Sequence, residues 1–339
     1  MVAVDSSVTA RSRRALDVPL LVAQAGGDQP ALRARAVARL ISLVEDASPA
    51  LREVMALLAP CAGQARVIGL TGSPGVGKST STNVLVAAYR RQGKRVGVLA
   101  IDPSSPFSGG ALLGDRVRMQ DHATDDGVFI RSMASRGHLG GLSWATPQAV
   151  RVLSAAGCDV VLVETVGVGQ AEVDVAALAD TTLVLLAPGM GDGIQAAKAG
   201  ILEVADVFVV NKADREGADT VVRDLRHMLS LGDRRTDGGW RVPIVKTVAA
   251  KGEGVDEVLA EIERHGDWLA GTGRLELRRR KRAADEVEAI ALTVLRGRIG
   301  DLRDNDALAG LAARVVAGEL DPYAAADELV RAVTMKVRP

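Results

Sequence analysis

The 339-residue chain carries 42 basic and 42 acidic side chains, and only 2% of it is aromatic. Balanced charge provides no global field for nucleic acid or an anionic membrane, and no apolar run approaches the roughly 18 residues needed to span a bilayer. Cys61 and Cys158 sit far apart and match neither a disulfide framework nor a metal site, so the expectation is a cytoplasmic protein with a core of Val, Leu, Ile and Ala.

The opening segment MVAVDSSVTARSRRA lacks the apolar core of a signal peptide and is expected to fray. Between 15 and 60, Leu32, Val37, Leu40, Ile41 and Val44 recur mostly at three- and four-residue spacing with arginines opposite, which predicts helices. From 66 to 249 the pattern changes to short valine-rich runs separated by helical stretches. The runs are RVIGLTG, RVGVLAID, DVVLVETVG, TTLVLLAPG, VFVVNKAD and VPIVKTVA. Strands apolar on both faces predict a mostly parallel sheet covered by helices on each side, with ligands at the carboxyl ends of the strands. Beyond 272 the chain turns helical again, and Val287, Ile290, Ala291 and Val294 fall on one stripe. The fold class is therefore α/β with helical N- and C-terminal extensions, divided at 1–60, 61–271 and 272–339.

GSPGVGKST, running from Gly72 through Ser73, Pro74, Gly75, Val76, Gly77, Lys78 and Ser79 to Thr80, follows the first strand and leads into a helix. It fits the P-loop pattern G-x-x-x-x-G-K-S/T in its required strand–loop–helix setting. The glycines let the backbone wrap closely around phosphates, while the loop amides and helix N-terminus supply positive potential. Lys78 is placed for the β- and γ-phosphates and Ser79 for Mg²⁺. A P-loop does not choose the base, but NKAD does: Asn211, Lys212 and Asp214 close the strand VFVV. The Asp214 carboxylate can accept from guanine N1–H and its exocyclic amine, whereas adenine presents an acceptor at N1 and lacks that amine. KTVAAKGEG, with Val248, Ala249 and Ala250, occupies the place of the second guanine loop, and the amide near Ala249 is expected to meet guanine O6. Val248 stands where a Ser, Thr or Cys is usual, so that supporting hydroxyl is missing.

Three acids lie near the phosphates in sequence logic. Asp102 ends the second strand, Asp115 follows in a long loop, and Glu164 ends the strand VVLVE, with Gly167 three residues on. A strand-end acid beside a P-loop can order Mg²⁺ or its waters, and a glycine amide can sense a γ-phosphate. The plain alternatives are a turn former before Pro103 at Asp102 and a solvated loop acid at Asp115, whereas an unpaired carboxylate closing a buried strand would be costly at Glu164. Elsewhere the plain readings prevail. Arg278 to Arg282 form a solvated helix face, and His122, His138, His227 and His265 show no metal-ligand spacing. Trp144, Trp240 and Trp268 read as packing residues.

The P-loop, DPSSPFSGGALLGDRVRM, ETVGVGQ and NKAD, in this order, resemble the MeaB/ArgK family of SIMIBI-class GTPases, chaperones of adenosylcobalamin-dependent methylmalonyl-CoA mutase. The resemblance implies GTP or GDP as the bound nucleotide and Mg²⁺ as cofactor. It places Lys78, Ser79, Asp102, Asp115 and Glu164 on the family's phosphate and metal positions. It places LAPGMGDGIQAAKAG on a third switch loop, with Gln195 and Lys198 communicating with the mutase. It also implies that the C-terminal helices build a homodimer and the N-terminal helices pack on the nucleotide domain. Gln170 lies farther from Gly167 than a catalytic glutamine usually does, and Arg116, Arg118 and Arg131 are open candidates for a finger. Rival readings are an ATP-dependent kinase linked to amino-acid transport, a small-molecule kinase, a nickel metallochaperone and a GTP-binding scaffold without turnover. NKAD argues against the kinases, and the absence of a Cys/His cluster argues against the metallochaperone.

Overall fold

The computed structural model describes residues 16–61, 63–103, 120–122, 124–135, 145–165, 171–189, 204–231, 239–299 and 306–336. The chain divides into two compact units, Met1–Leu275 and Glu276–Pro339. In the first unit seven strands form one parallel sheet in the order β3-β2-β4-β1-β5-β6-β7. They are β1 (Arg66–Thr71), β2 (Val96–Pro103), β3 (Val128–Ser135), β4 (Val160–Thr165), β5 (Thr181–Leu186), β6 (Val207–Val210) and β7 (Ile244–Lys246). β3 adds one strand to the runs read from sequence. Its VFIRSMAS carries Arg131 and two serines, and such an edge strand lacks the continuous apolar signal of a buried one.

Helices α1 (Val18–Ala25), α2 (Pro30–Glu45) and α3 (Leu51–Leu58) precede the sheet. With α5 (Thr146–Ala155) and α6 (Ala171–Leu178) they cover one face, where Leu40, Ile41 and Val54 pack with Val67, Leu99 and Val163. Leu32, expected on that buried stripe, is instead exposed, and Arg33 takes the inward position. The Arg33 guanidinium donates to Asp126 O at 3.1 Å and Gly27 O at 3.3 Å, which fixes α2 to the loop before β3. At the other end of α2, Arg131 donates to Glu45 and to Ser42 Oγ. Arg131 is thereby committed to a tie between β3 and α2 and is not placed as a finger.

The opposite face is covered by α4 (Lys78–Arg91) and α8 (Val255–Gly271), with Ile68, Leu70, Leu85, Tyr89, Leu162, Leu183 and Ile262 fully or nearly fully buried between them. α7 (Ala218–Leu231) packs on β5 and β6 through Val221 and Leu225. At the amino ends of the strands, Asp159, Asp180 and Asp206 each accept a backbone amide at the start of a neighbouring strand, from Arg95, Val67 and Thr182 at 2.8, 3.0 and 2.9 Å. These contacts pin strand register at the end away from the P-loop. His265 is fully buried there, 2.9 Å from Thr181 Oγ1, stacked on Trp268 and 4.8 Å from the Trp240 ring centroid. Trp240, Trp268 and His265 are thus packing residues, while Trp144 and His138 lie outside the described residues.

The second unit holds most of α9 (Arg274–Ile299) together with α10 (Asp306–Val316) and α11 (Pro322–Lys336). Leu311 and Leu329 pair in a small core. Leu277, Val287, Ile290, Leu292 and Leu295 on α9 are exposed. No helix among the described residues is long and apolar enough to cross a membrane.

Candidate functional site

The site is built at the carboxyl ends of the central strands, where β1 lies between β4 and β5. The P-loop leaves β1 through Gly72, whose φ is +139°, and a Cβ there would lie 2.3 Å from Leu185 O. Only glycine fits so close to β5. Gly77, at φ +97°, turns the chain into α4, and no side chain caps that helix. Open amides at a helix N-terminus make a ready anion site. Lys78 is buried, and its Nζ folds back onto Gly72 O at 2.7 Å and Ser73 O at 3.0 Å. The cation is held over the loop, where phosphate oxygens would meet it. Pro74, Gly75 and Thr80 are exposed and Val76 is buried.

Beside the loop, Glu164 is the penultimate residue of β4 and is only 4% exposed. Its Oε1 accepts from Ser79 Oγ at 2.5 Å, and its Oε2 lies 2.9 Å from Thr82 Oγ1. The two hydroxyls are i and i+3 on α4, which places them on one helix face. A serine hydroxyl beside a buried carboxylate is a hard-oxygen set that suits Mg²⁺, which binds through one or two such groups and completes its shell with water and phosphate. Asp102 closes β2 two residues beyond Ala100, the residue in register with Glu164; its side chain lies outside the described residues. Asp115, Gly167, Gln170, Gln195, Lys198, Arg116 and Arg118 also lie outside them.

The base side is assembled by Asn211, which is 3% exposed. Its Nδ2 donates to Val76 O at 2.8 Å, while its Oδ1 accepts from the Ala249 amide at 3.0 Å and Thr247 Oγ1 at 3.2 Å. One side chain therefore ties the phosphate loop to the Val248–Ala250 turn. A Cβ on Gly77 would lie 2.4 Å from Asn211 Nδ2, which accounts for that second glycine. Lys212, at φ +56°, reaches Gly75 O at 2.6 Å. Asp214 is exposed and pairs with Lys251 at 3.3 Å, so its carboxylate faces outward where a base could dock. Val248 exchanges both backbone hydrogen bonds with Glu253, closing the turn that Gly254 completes at φ +77°. In the Val248–Ala250 turn, where an amide is expected to meet guanine O6, the Ala249 amide donates to Asn211 Oδ1. Ala249 braces the turn, and exposed Ala250 follows it.

Sequence reading misses three of these partners. Thr82 and Thr247 are unremarkable threonines until the fold brings them to Glu164 and Asn211. Lys251 shows its relation to Asp214 only across the β6–β7 gap. In the basic run Arg278 to Arg282, Arg278, Arg280 and Lys281 are exposed as expected while Arg279 and Arg282 are half-buried, and Arg280 pairs with Glu276 at 2.5 Å.

Comparison with known proteins agrees with this layout. The family model described as "Methylmalonyl Co-A mutase-associated GTPase MeaB" matches residues 37–301. A chain of Pyrococcus abyssi, named as an inferred GTPase, is 48% identical over 300 residues, 88% of this chain and 93% of that one. GTPase ArgK of Escherichia coli K12 is 38% identical over 256 residues, 74% of this chain and 77% of its own. A crystal structure described as that of a LAO/AO transport system kinase superposes with a TM-score of 0.70 at 27% identity, covering 94% of this chain and 97% of its own. With a P-loop, a guanine motif and a parallel sheet arranged in this way, the chain belongs to the MeaB family of P-loop GTPases and is a GTP hydrolase.

Proposed function

We propose that the chain is a Mg²⁺-dependent GTPase that serves as a chaperone of an adenosylcobalamin-dependent methylmalonyl-CoA mutase. It would gate loading of the intact cofactor onto the mutase and protect or reactivate that enzyme. The observation that carries the nucleotide part is the Asn211 tie between the phosphate loop and the Val248–Ala250 turn. The family's description as mutase-associated supports the partner.

In this reading the amides from Gly72 to Thr80 and the Lys78 ammonium hold the β- and γ-phosphates. Ser79 and Glu164, with Asp102 and Asp115, would hold Mg²⁺ and its waters, and the bound ion would supply charge neutralisation at the phosphates. Asp214 reads guanine N1–H and the exocyclic amine, and an amide of the Val248–Ala250 turn meets O6. Catalysis rests on positioning and electrostatics. Gly167 reports the γ-phosphate, and Gln195 and Lys198 carry that state to the mutase. The exposed apolar residues of α9, Val287 and Ile290 among them, support a homodimer built by the C-terminal arm. The setting is cytoplasmic, without nucleic-acid or membrane partners.

A second reading, a kinase linked to amino-acid transport, is favoured only by the description of the solved relative as a transport system kinase. Displacement of a fluorescent guanine nucleotide separates the two. GTP and GDP compete at low concentration in the GTPase reading while ATP does not, and equal displacement by ATP would favour the kinase.

A further inference from the structure

Thr82 is fully buried in the second turn of α4, four residues after Lys78 and three after Ser79. A mid-helix threonine ordinarily donates back to the carbonyl four residues earlier. That acceptor, Lys78 O, is available at 3.1 Å, but Glu164 Oε2 lies nearer, at 2.9 Å. A hydroxyl has one proton to give, and a carboxylate oxygen is the stronger acceptor. The proton therefore belongs to Glu164, with Lys78 O a weaker sharer.

We propose that Thr82 is a positioning residue for the metal side of the site, fixing Oε2 of Glu164 so that Oε1 stays turned toward Ser79. The inference rests on the reading of this loop as a Mg²⁺–nucleotide site. Glutamate has one more rotatable bond than aspartate, and the second donor, Thr82 on the same helix face as Ser79, adds a constraint on the plane of its carboxylate. Ser79 can then offer an oxygen lone pair to a divalent cation while its hydroxyl donates to Glu164 Oε1 at 2.5 Å. The residues that hold metal ligands in place set metal affinity nearly as strongly as the ligands do. Thr82 itself touches neither nucleotide nor metal in this assignment.

The test compares the full-length parent with Thr82→Val, Thr82→Ala and Thr82→Ser. The affinity of a fluorescent GDP analogue is measured first in EDTA and then across a Mg²⁺ titration, followed by steady-state GTP turnover. In EDTA all four chains should bind within about twofold of one another, because the phosphate loop and Asn211 are untouched. The Mg²⁺ concentration that gives half-maximal tightening should rise about tenfold in Thr82→Val and Thr82→Ala and recover to within about threefold in Thr82→Ser. In turnover the same two variants should lose about tenfold in kcat with KM for GTP nearly unchanged. If Thr82→Val melts below the assay temperature, the Ala and Ser pair makes the same comparison.

A parental Mg²⁺ midpoint in Thr82→Val would overturn the inference. Equal impairment of Thr82→Ser would do so as well, since the methyl packing and not the hydroxyl would then matter. Parallel loss of affinity in EDTA would mean that Thr82 supports the loop rather than the metal. Failure of the underlying reading shows separately, in a parent chain whose nucleotide affinity ignores Mg²⁺.

Discussion

Asn211→Ala is the sharpest probe of how the site is held together. The substitution deletes the donor to Val76 O at 2.8 Å and the acceptor for the Ala249 amide at 3.0 Å and Thr247 Oγ1 at 3.2 Å, all in a buried position. At about 1 kcal/mol net for each bond, and somewhat more where a buried backbone group is left without its partner, the loss is about 2–4 kcal/mol. At about 2 °C per kcal/mol for a unit of this size, the melting temperature should fall by about 4–8 °C. Guanine-nucleotide affinity should fall by at least about tenfold, because the phosphate loop and the base turn are no longer held in one arrangement. Asn211→Asp refines the test: it keeps the Oδ1 acceptor but turns a carboxylate oxygen toward Val76 O, where a donor is required. It should rescue neither quantity. Differential scanning fluorimetry and titration with a fluorescent guanine nucleotide read both effects. A melting point within about 1 °C of the parent and affinity within about twofold would refute the idea that Asn211 assembles the site, since both bounds lie well below the expected loss.

Asp214→Asn should weaken guanine-nucleotide binding by about tenfold or more through the lost charge-assisted bonds, without a comparable change in stability, because the side chain is exposed. Unchanged selectivity against adenine nucleotides in a competition assay would show that another group reads the base. Val287→Asp combined with Ile290→Asp should give a monomer by light scattering with an unshifted melting point, since both side chains are exposed in the single chain. A persisting dimer would move the interface elsewhere. Burial pushes the Cys158 thiol up to about 12, with the neighbouring Asp159 charge adding to the effect. At about pH 8 that thiol stays protonated, so a disulfide exchange reagent should titrate one rapid thiol per folded chain, exposed Cys61, and two after denaturation. Two rapid thiols in the native protein would show that the Cys158 environment is open.

The parts of the molecule that are legible in sequence are those where a residue type has few substitutes. Gly72 and Gly77 are required because a Cβ would strike Leu185 O or Asn211 Nδ2, and such positions leave a glycine pattern. Lys78 puts a buried cation at the start of a helix, and Ser79 and Asp214 stand at fixed places in the two motifs. Glu164 stands out because a carboxylate at the end of an apolar strand needs a partner, and the structure supplies two hydroxyls. Relations across the sheet are not legible. Thr82 has the same helix pattern whether it bonds its own backbone or Glu164, and the difference is set by how β4 lies against α4. The motif places the Val248–Ala250 turn in the sequence, but only the fold shows that the Ala249 amide is engaged by Asn211. On α2, spacing alone places Leu32 inward, yet the long Arg33 side chain can bury its stem and still reach Asp126 O. The edge strand β3 is hidden because Arg131 and Ser132 interrupt its apolar run, and Arg131 acquires its meaning only from Glu45 on a distant helix.

The most direct test of the account is hydrolysis by the purified full-length chain, with Mg²⁺, in the presence and absence of an adenosylcobalamin-dependent methylmalonyl-CoA mutase, with ATP as the control nucleotide. The account predicts turnover of GTP and not of ATP, slow for the chain alone and accelerated by the mutase. Hydrolysis of ATP at the same rate would contradict the base assignment, and GTP turnover indifferent to the mutase would contradict the chaperone role.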